Sequence, residues 1–221
     1  AILMAAITVR TIANALELAG TDLPTKLFWA NVQYLSCVPV ALSWLALALQ
    51  YTGQRAWLTR RRVAILLIVP LGVAALAWTN NFHKLVQDNI CLVTAGPFPV
   101  IDKTYGPVFW IHITYHYTLF GVTAFLFIRA LRHAPPLYRG QILVLLISLF
   151  VPATLYMLYS LGLGPIPGYD TSSAVLSLFG LVMAWGLFHY RLFNVMPIAR
   201  ATIVDQLDIG VVVLDAHKHI V

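Results

Sequence analysis

Trp185 to Val221 read W-G-L-F-H-Y-R-L-F-N-V-M-P-I-A-R-A-T-I-V-D-Q-L-D-I-G-V-V-V-L-D-A-H-K-H-I-V. The stretch begins as the end of a helix too apolar for water. Arg191 and Arg200 mark a passage into a charged phase, and a short amphipathic segment follows. The run I-G-V-V-V-L-D-A-H-K-H-I-V (209–221) then has the pattern of two strands about a polar turn, with Asp215 to Lys218 as the turn. Nothing upstream resembles it. The stretch predicts a membrane helix wired through a short helix to the opening of a soluble domain. It divides the chain into a transmembrane bundle (1–195), a linker helix (196–209) and the start of a soluble domain (210–221).

Composition extends the membrane reading to the whole chain. Of 221 residues, 60% are hydrophobic and 10% charged, with mean hydropathy +0.82. Soluble domains carry about 25% charged residues, so the deficit means several membrane spans and not a single anchor. The formal net charge of +6 is clustered, which marks topology and not nucleic-acid binding. Cys37 and Cys91 form no disulfide framework or zinc pattern. One is placed inside a span and the other in a loop, so two free thiols are expected. The chain opens abruptly inside an apolar helix with no signal-peptide n-region, and upstream sequence is expected.

Six stretches are long and apolar enough, or nearly so, to span: roughly 1–18, 27–51, 62–79, 106–131, 141–162 and 171–190. Connections carry the breakers, among them Gly20 to Pro24, Gly96 to Pro99 and G-L-G-P-I-P-G at 162–168. Arg55, Arg60, Arg61 and Arg62 follow the second span, Arg129, Arg132 and Arg139 follow the fourth, and Arg191 and Arg200 follow the last. The alternate connections hold only Lys26, Lys84 and Lys103 beside Asp22, Asp88, Asp102 and Asp170. By the positive-inside rule the arginine side is cytoplasmic, and the last span delivers the C-terminus there. One further span before Ala1 would complete seven. Pro39, Pro70 and Pro152 lie inside spans, as ordinary membrane-helix prolines or as hinges.

Hydrogen-bonding and ionisable side chains inside a span are costly and so point to function. Arg10, Asn14 and Glu17 share one helical face. Arg10 is either deep in the bundle or near the inner interface; Glu17 belongs at the outer rim. Asn31, Gln33 and Tyr34 occupy the outer third of the second span, as interhelical glue or as a cavity wall. Asn80 and His83 either cap the third span or face a vestibule. His112 and His116, one turn apart and flanking Tyr115, either chelate a metal or line a polar pocket, with the pocket preferred for want of an assured third ligand. All these groups fall in the outer halves of their spans. They predict one cavity near the outer surface, apolar with a few convergent polar groups.

The last span contains no lysine, which excludes a retinal Schiff base there. No P-loop, G-x-S-x-G or H-E-x-x-H is present. The lack of an acidic relay weakens a pump. Ile198, Ile203, Val204 and Leu207 recur at helical spacing after Pro197, either as a dimerising signalling helix or as a connector folded on its own domain.

Several segments together carry a family likeness: A-L-E-L-A (15–19), K-L-F-W (26–29), Q-Y (33–34), P-V-A-L-S-W-L-A-L-A-L-Q-Y-T (39–52), T-N-N-F-H (79–83), Y-G-P-V-F-W-I-H (105–112), D-T-S (170–172) and Y-R-L-F-N-V-M-P-I-A-R (190–200). In order and loop spacing the chain resembles the seven-transmembrane N-terminal sensor region of bacterial and archaeal histidine kinases. D-Q-L-D-I-G-V-V-V-L-D (205–215) looks like the entry to a PAS domain. The resemblance implies an all-α membrane protein, a seven-transmembrane helix bundle with six spans visible and the first missing, followed by a short cytoplasmic β-hairpin that starts a PAS domain. It implies a plasma-membrane sensor coupled to a cytoplasmic kinase or other output in cis, with no catalysis in these residues themselves.

The combined expectation is a homodimeric receptor in the lipid bilayer. It binds an extracytoplasmic small molecule or ion through Glu17, Gln33, Tyr34, Asn80, His83, His112, Tyr115 and His116, with no metal, cofactor or nucleic acid. The alternatives are a transporter or cofactor-binding membrane redox protein, and a purely structural dimerising anchor.

Overall fold

A computed structural model describes residues 2–94, 98–164 and 169–189. Arg191, Arg200, the linker helix and the C-terminal hairpin expected from the sequence lie outside the described residues. The long helices are α1 (Ile2–Ala19), α2 (Leu23–Tyr51), α3 (Arg60–Trp78), α5 (Pro107–His133), α6 (Pro136–Ser160) and α7 (Ser172–His189), with a four-residue α4 (Asn80–His83). Five are long and apolar enough to cross a membrane, and α7 adds an apolar stretch over Ser172–Trp185. The expected spans match these helices closely.

Local chemistry sets the helix starts. Asp22 caps α2, its Oδ2 accepting from the Thr25 N–H at 2.9 Å, with Pro24 in the first turn. That backbone bond holds the Asp22 carboxyl below its ordinary pKa. Gly106 caps α5, and only glycine fits there. A Cβ would sit 2.2 Å from the Leu85 carbonyl oxygen, which the chain passes while the Gly106 N–H donates to Val86 O at 2.9 Å.

α2 is the central helix, packed against α1, α3 and α5, while α7 packs on α1 and α6. Of its apolar window 61% is buried, against 22% for α3 at the periphery. The core joins Leu3 and Ile7 of α1, Trp44, Leu45 and Ala48 of α2, Phe127 of α5, and Ile142, Leu145 and Leu149 of α6. The outward faces are also apolar: Ile65, Ile68 and Leu71 on α3, Phe125 on α5, Ile147 and Phe150 on α6, and Leu181 on α7. Water disfavours so continuous an apolar exterior, and acyl chains match it.

Pro39, Pro70 and Pro152 lie within continuous helices. Each lacks the N–H that would satisfy the carbonyl four residues earlier. For Pro70 that carbonyl is Leu66, and the Tyr115 hydroxyl of α5 donates to it.

The connection after α4, expected to be a loop, holds two paired strands, a hairpin. β1 (Gln87–Val93) pairs antiparallel with β2 (Val100–Tyr105), in register Gln87↔Tyr105 and Leu92↔Ile101. A bulge between Asp88 and Cys91 places one extra residue opposite Lys103, and Asn89 takes a left-handed φ of 49° there. Cys91 lies exposed on β1 and Cys37 half-buried in α2; both are free thiols.

Candidate functional site

The hairpin folds over the ends of α1, α2, α5 and α6 and covers a polar cavity with about 50 Å³ of water-accessible space. Ile101, Lys103 and Tyr105, which share one face of β2 by the two-residue period of a strand, line it from the hairpin side. Arg10, Asn14 and Glu17 line it from α1, Lys26, Gln33, Tyr34 and Cys37 from α2, His112 from α5, and Tyr156 and Tyr159 from α6. Asp170, just before α7, completes the wall.

Most of these groups satisfy one another. Arg10, 7% exposed, is deep in the bundle and not at the rim. Its guanidinium pairs with Asp170 Oδ2 at 3.2 Å, donates to Cys37 Sγ at 2.8 Å, and lies 5.1 Å from the centroid of the Tyr156 ring. Asp170 in turn accepts from the Ser172 N–H at 2.9 Å, from the Ser172 hydroxyl, and from Ser173 Oγ at 3.3 Å. One carboxylate thus caps the first turn of α7 and neutralises a buried cation from α1. Lys26, 1% exposed, donates to Glu17 O at 2.6 Å and Leu18 O at 3.4 Å. An ammonium suits these last carbonyls of α1, where the helix dipole is negative. The Glu17 carboxylate accepts from Gln33 Nε2.

Lys103 differs. Its Nζ lies 5.8 Å from the Tyr105 ring centroid, and it makes no ion pair among the described residues. Burial disfavours its charge, but Tyr159, Glu17, Tyr34 and Asp170 outweigh that cost and leave its pKa above the ordinary 10.5. Burial, with Tyr159 and the other hydroxyls nearby, also pushes the Tyr105 phenol well upward, so it stays neutral. Three cations and two carboxylates line the cavity, and among the described residues Lys103 is the one of the three cations with neither an ion pair nor a hydrogen bond from its side chain.

Of the residues assigned to one site from the sequence, Glu17, Gln33, Tyr34 and His112 line this cavity. Asn80 lies behind it. Its Nδ2 donates to Gln87 O at 2.7 Å, and its Oδ1 accepts from Val86 N at 3.0 Å and Gln87 N at 3.2 Å. Gln87 Nε2 then donates to the Tyr34 hydroxyl at 2.9 Å, so Asn80 positions a cavity residue without facing the cavity. His83 is a capping group and lies outside: Nδ1 accepts from Leu85 N at 3.0 Å, which leaves Nε2 to donate to Thr79 Oγ1 at 3.2 Å. Tyr115 is turned to the Leu66 carbonyl.

His116 lies deeper. It lines a second cavity, with about 80 Å³ of water-accessible space, together with Val40, Trp44, Tyr117, Phe120, Leu149 and Pro152. The residues expected in a single hollow are therefore spread over at least three, since Tyr34 and Asn80 also line another with Asn31, Trp78 and Gln87. Arg10, Cys37, His112 and Tyr156 line the first two and form the wall between them. The His112 and His116 rings are 4.1 Å apart, and no cluster of three or more His, Cys, Asp or Glu side chains forms a metal cage among the described residues.

Lys26, Lys103 and Asp170 were sequence-visible only as loop charges, and Gln87, Tyr156 and Tyr159 carried no signal beyond their residue type.

A family model described as the N-terminal 7TM region of histidine kinase matches residues 1–197. The chain belongs to this family. It is a membrane sensor module of the histidine-kinase type, and the cavity under the hairpin is read in that setting. No curated protein and no solved structure matches the chain.

Proposed function

We propose that this sensor module binds a small, negatively charged extracytoplasmic molecule in the hairpin-covered cavity and relays its presence through α7. The arginine-rich connections lie at the opposite end of the bundle, so the positive-inside rule puts the hairpin outside and the end of α7 at the cytoplasm. The receptor works as a homodimer whose cytoplasmic output, entered through a PAS domain, follows in the same chain.

The observation that carries this reading is the double use of Asp170. The carboxylate that caps α7 is also the partner of the cavity arginine. An anion attracted by Lys103 competes with Asp170 for Arg10, so the occupied and empty cavities hold the start of α7 differently. A ligand shifts a two-state equilibrium only by such unequal binding. The hairpin tip is tied to the same connection: the Tyr169 hydroxyl donates to Phe98 O at 2.9 Å. Closure of the hairpin over a ligand therefore reaches the residue beside Asp170. The transporter alternative lacks a comparable feature.

The test is a screen of small carboxylates and phosphates against the full-length protein in lipid nanodiscs, by native mass spectrometry and thermal shift. A binder lost in Lys103→Met and weakened in Tyr34→Phe supports the reading. Binding indifferent to both substitutions, or confined to cations, overturns it.

A further inference from the structure

The second cavity is a separate matter. It lies among the spanning segments, with Ser148 twelve residues from the outer end of α6, about 18 Å at 1.5 Å per residue. Its lining is almost wholly apolar, supplied by Trp44, Phe120, Leu149 and Leu176 among others. Two of its lining side chains nevertheless carry buried polar atoms with no hydrogen-bond partner among the described residues: His112 Nδ1 and Ser148 Oγ. His112 is 4% exposed and Ser148 1%. A helical serine ordinarily bonds back to the preceding turn, as Ser160 does to Tyr156 O at 2.8 Å and Thr123 to Leu119 O at 2.8 Å. Ser148 does not.

Pro152 adds a third group. It lines the same cavity, and it has no N–H to give the Ser148 carbonyl four residues before it. On α6 alone, one turn thus presents an unsatisfied hydroxyl and a released carbonyl beside an apolar hollow. An unpaired polar group in such surroundings costs more than one in water, and buried polar groups are nearly always satisfied. Native membrane helices repair a proline gap with a neighbouring group, as Tyr115 does for Leu66. No side chain among the described residues donates to the Ser148 carbonyl.

We infer that this cavity is a second binding site, for a small lipid-soluble alcohol or phenol. The hydroxyl of such a molecule donates to the Ser148 carbonyl or to His112 Nδ1 and accepts from Ser148 Oγ. Its ring or chain fills the space between Trp44 and Phe120. A hydroxyl fits better than an ether or ester because it can donate to the Ser148 carbonyl, or to His112 Nδ1 in the tautomer with the proton on Nε2, and still accept from Ser148 Oγ. The site needs no charge on the ligand, which separates its chemistry from that of the outer cavity. It shares with that cavity the wall of Arg10, Cys37, His112 and Tyr156, and it touches α7 through Ser172 and Leu176. A lipid-borne hydroxyl compound therefore acts on the helix that the outer ligand acts on.

The test uses a short-chain diazirine-bearing alkanol with the full-length protein in nanodiscs, photolysis, and peptide mapping by mass spectrometry. Saturable labelling is expected on the segments His112–Phe120 and Ser148–Tyr156, and filling the hollow by Ala153→Phe should abolish it. Ser148→Ala should lower apparent affinity about fivefold, the worth of one hydrogen bond, with unfolding temperature unchanged or slightly raised because an unpartnered hydroxyl has gone. Labelling that rises without saturation and falls only on outward residues such as Phe125 and Ile147 overturns the site. So does a Ser148→Ala protein that loses stability and labels like the parent, since the hydroxyl then serves the fold.

Discussion

The outer cavity and the inner one meet at four shared side chains, yet they treat polar groups in opposite ways. In the outer cavity charges are abundant and nearly all are satisfied by neighbours: Arg10 by Asp170, Lys26 by the end of α1, Glu17 by Gln33. In the inner one polar atoms are few, and two of them are unspent. The difference teaches that polarity alone does not mark a site in a membrane bundle. What marks it is the group left over after the neighbours have been counted: Lys103 above, Ser148 and His112 below.

The comparison breaks most visibly at the shared wall. Arg10→Met or Asp170→Ala strands one buried charge and should destabilise the protein by about 3–5 kcal/mol. The double variant Arg10→Met/Asp170→Ala should recover much of that, since no charge is left unpaired. Thermal unfolding in one detergent across the three proteins checks it. A double variant that loses the sum of the two single losses would mean that the pair is not coupled.

Asn80→Ala removes three hydrogen bonds that hold the hairpin to the bundle. The expected cost is about 1–3 kcal/mol, with faster hydrogen exchange at Val86 and Gln87 and weaker ligand binding through Tyr34. Tyr115→Phe sharpens the contrast from the other side. It uncovers only the carbonyl left by Pro70 and should cost about 0.6–1.7 kcal/mol, with binding at both cavities unchanged. The smallest effect concerns pH. Lys103 holds its proton more tightly in the folded protein than an ordinary lysine at 10.5. Its contribution is complete below that value and is lost only as pH climbs beyond it. Its share of anion affinity, read as the ratio of parent to Lys103→Met, should therefore stay constant across the neutral range. A decline through neutral pH would mean a depressed amine.

The helices were legible because apolar runs of this length have few alternatives, and the arginine clusters order them. The α1 stripe was legible because 3.6-residue periodicity puts Arg10, Asn14 and Glu17 on one face. The hairpin was less so. Q-D-N-I-C-L-V and V-I-D-K-T-Y alternate only partly, and the bulge at Asn89 interrupts the period. Its lysine, half of the electrostatic argument, looked like a loop charge. Asp170 was hidden differently: its cap to Ser172 is local, but its partner Arg10 is 160 residues away. Asn80, His83 and Tyr115 illustrate the converse. A residue's position along a span does not say which way its side chain turns.

The central claim is that the hold of Asp170 on the start of α7 sets the signalling state. Its most direct test is the autophosphorylation rate of the full-length protein in nanodiscs, compared for parent, Arg10→Met, Asp170→Asn and Tyr115→Phe. The account predicts that the first two variants change the rate in the same direction by about 5–150-fold, the range of ordinary allosteric coupling, while Tyr115→Phe matches the parent. Folded Arg10→Met and Asp170→Asn proteins that phosphorylate at the parental rate would contradict it.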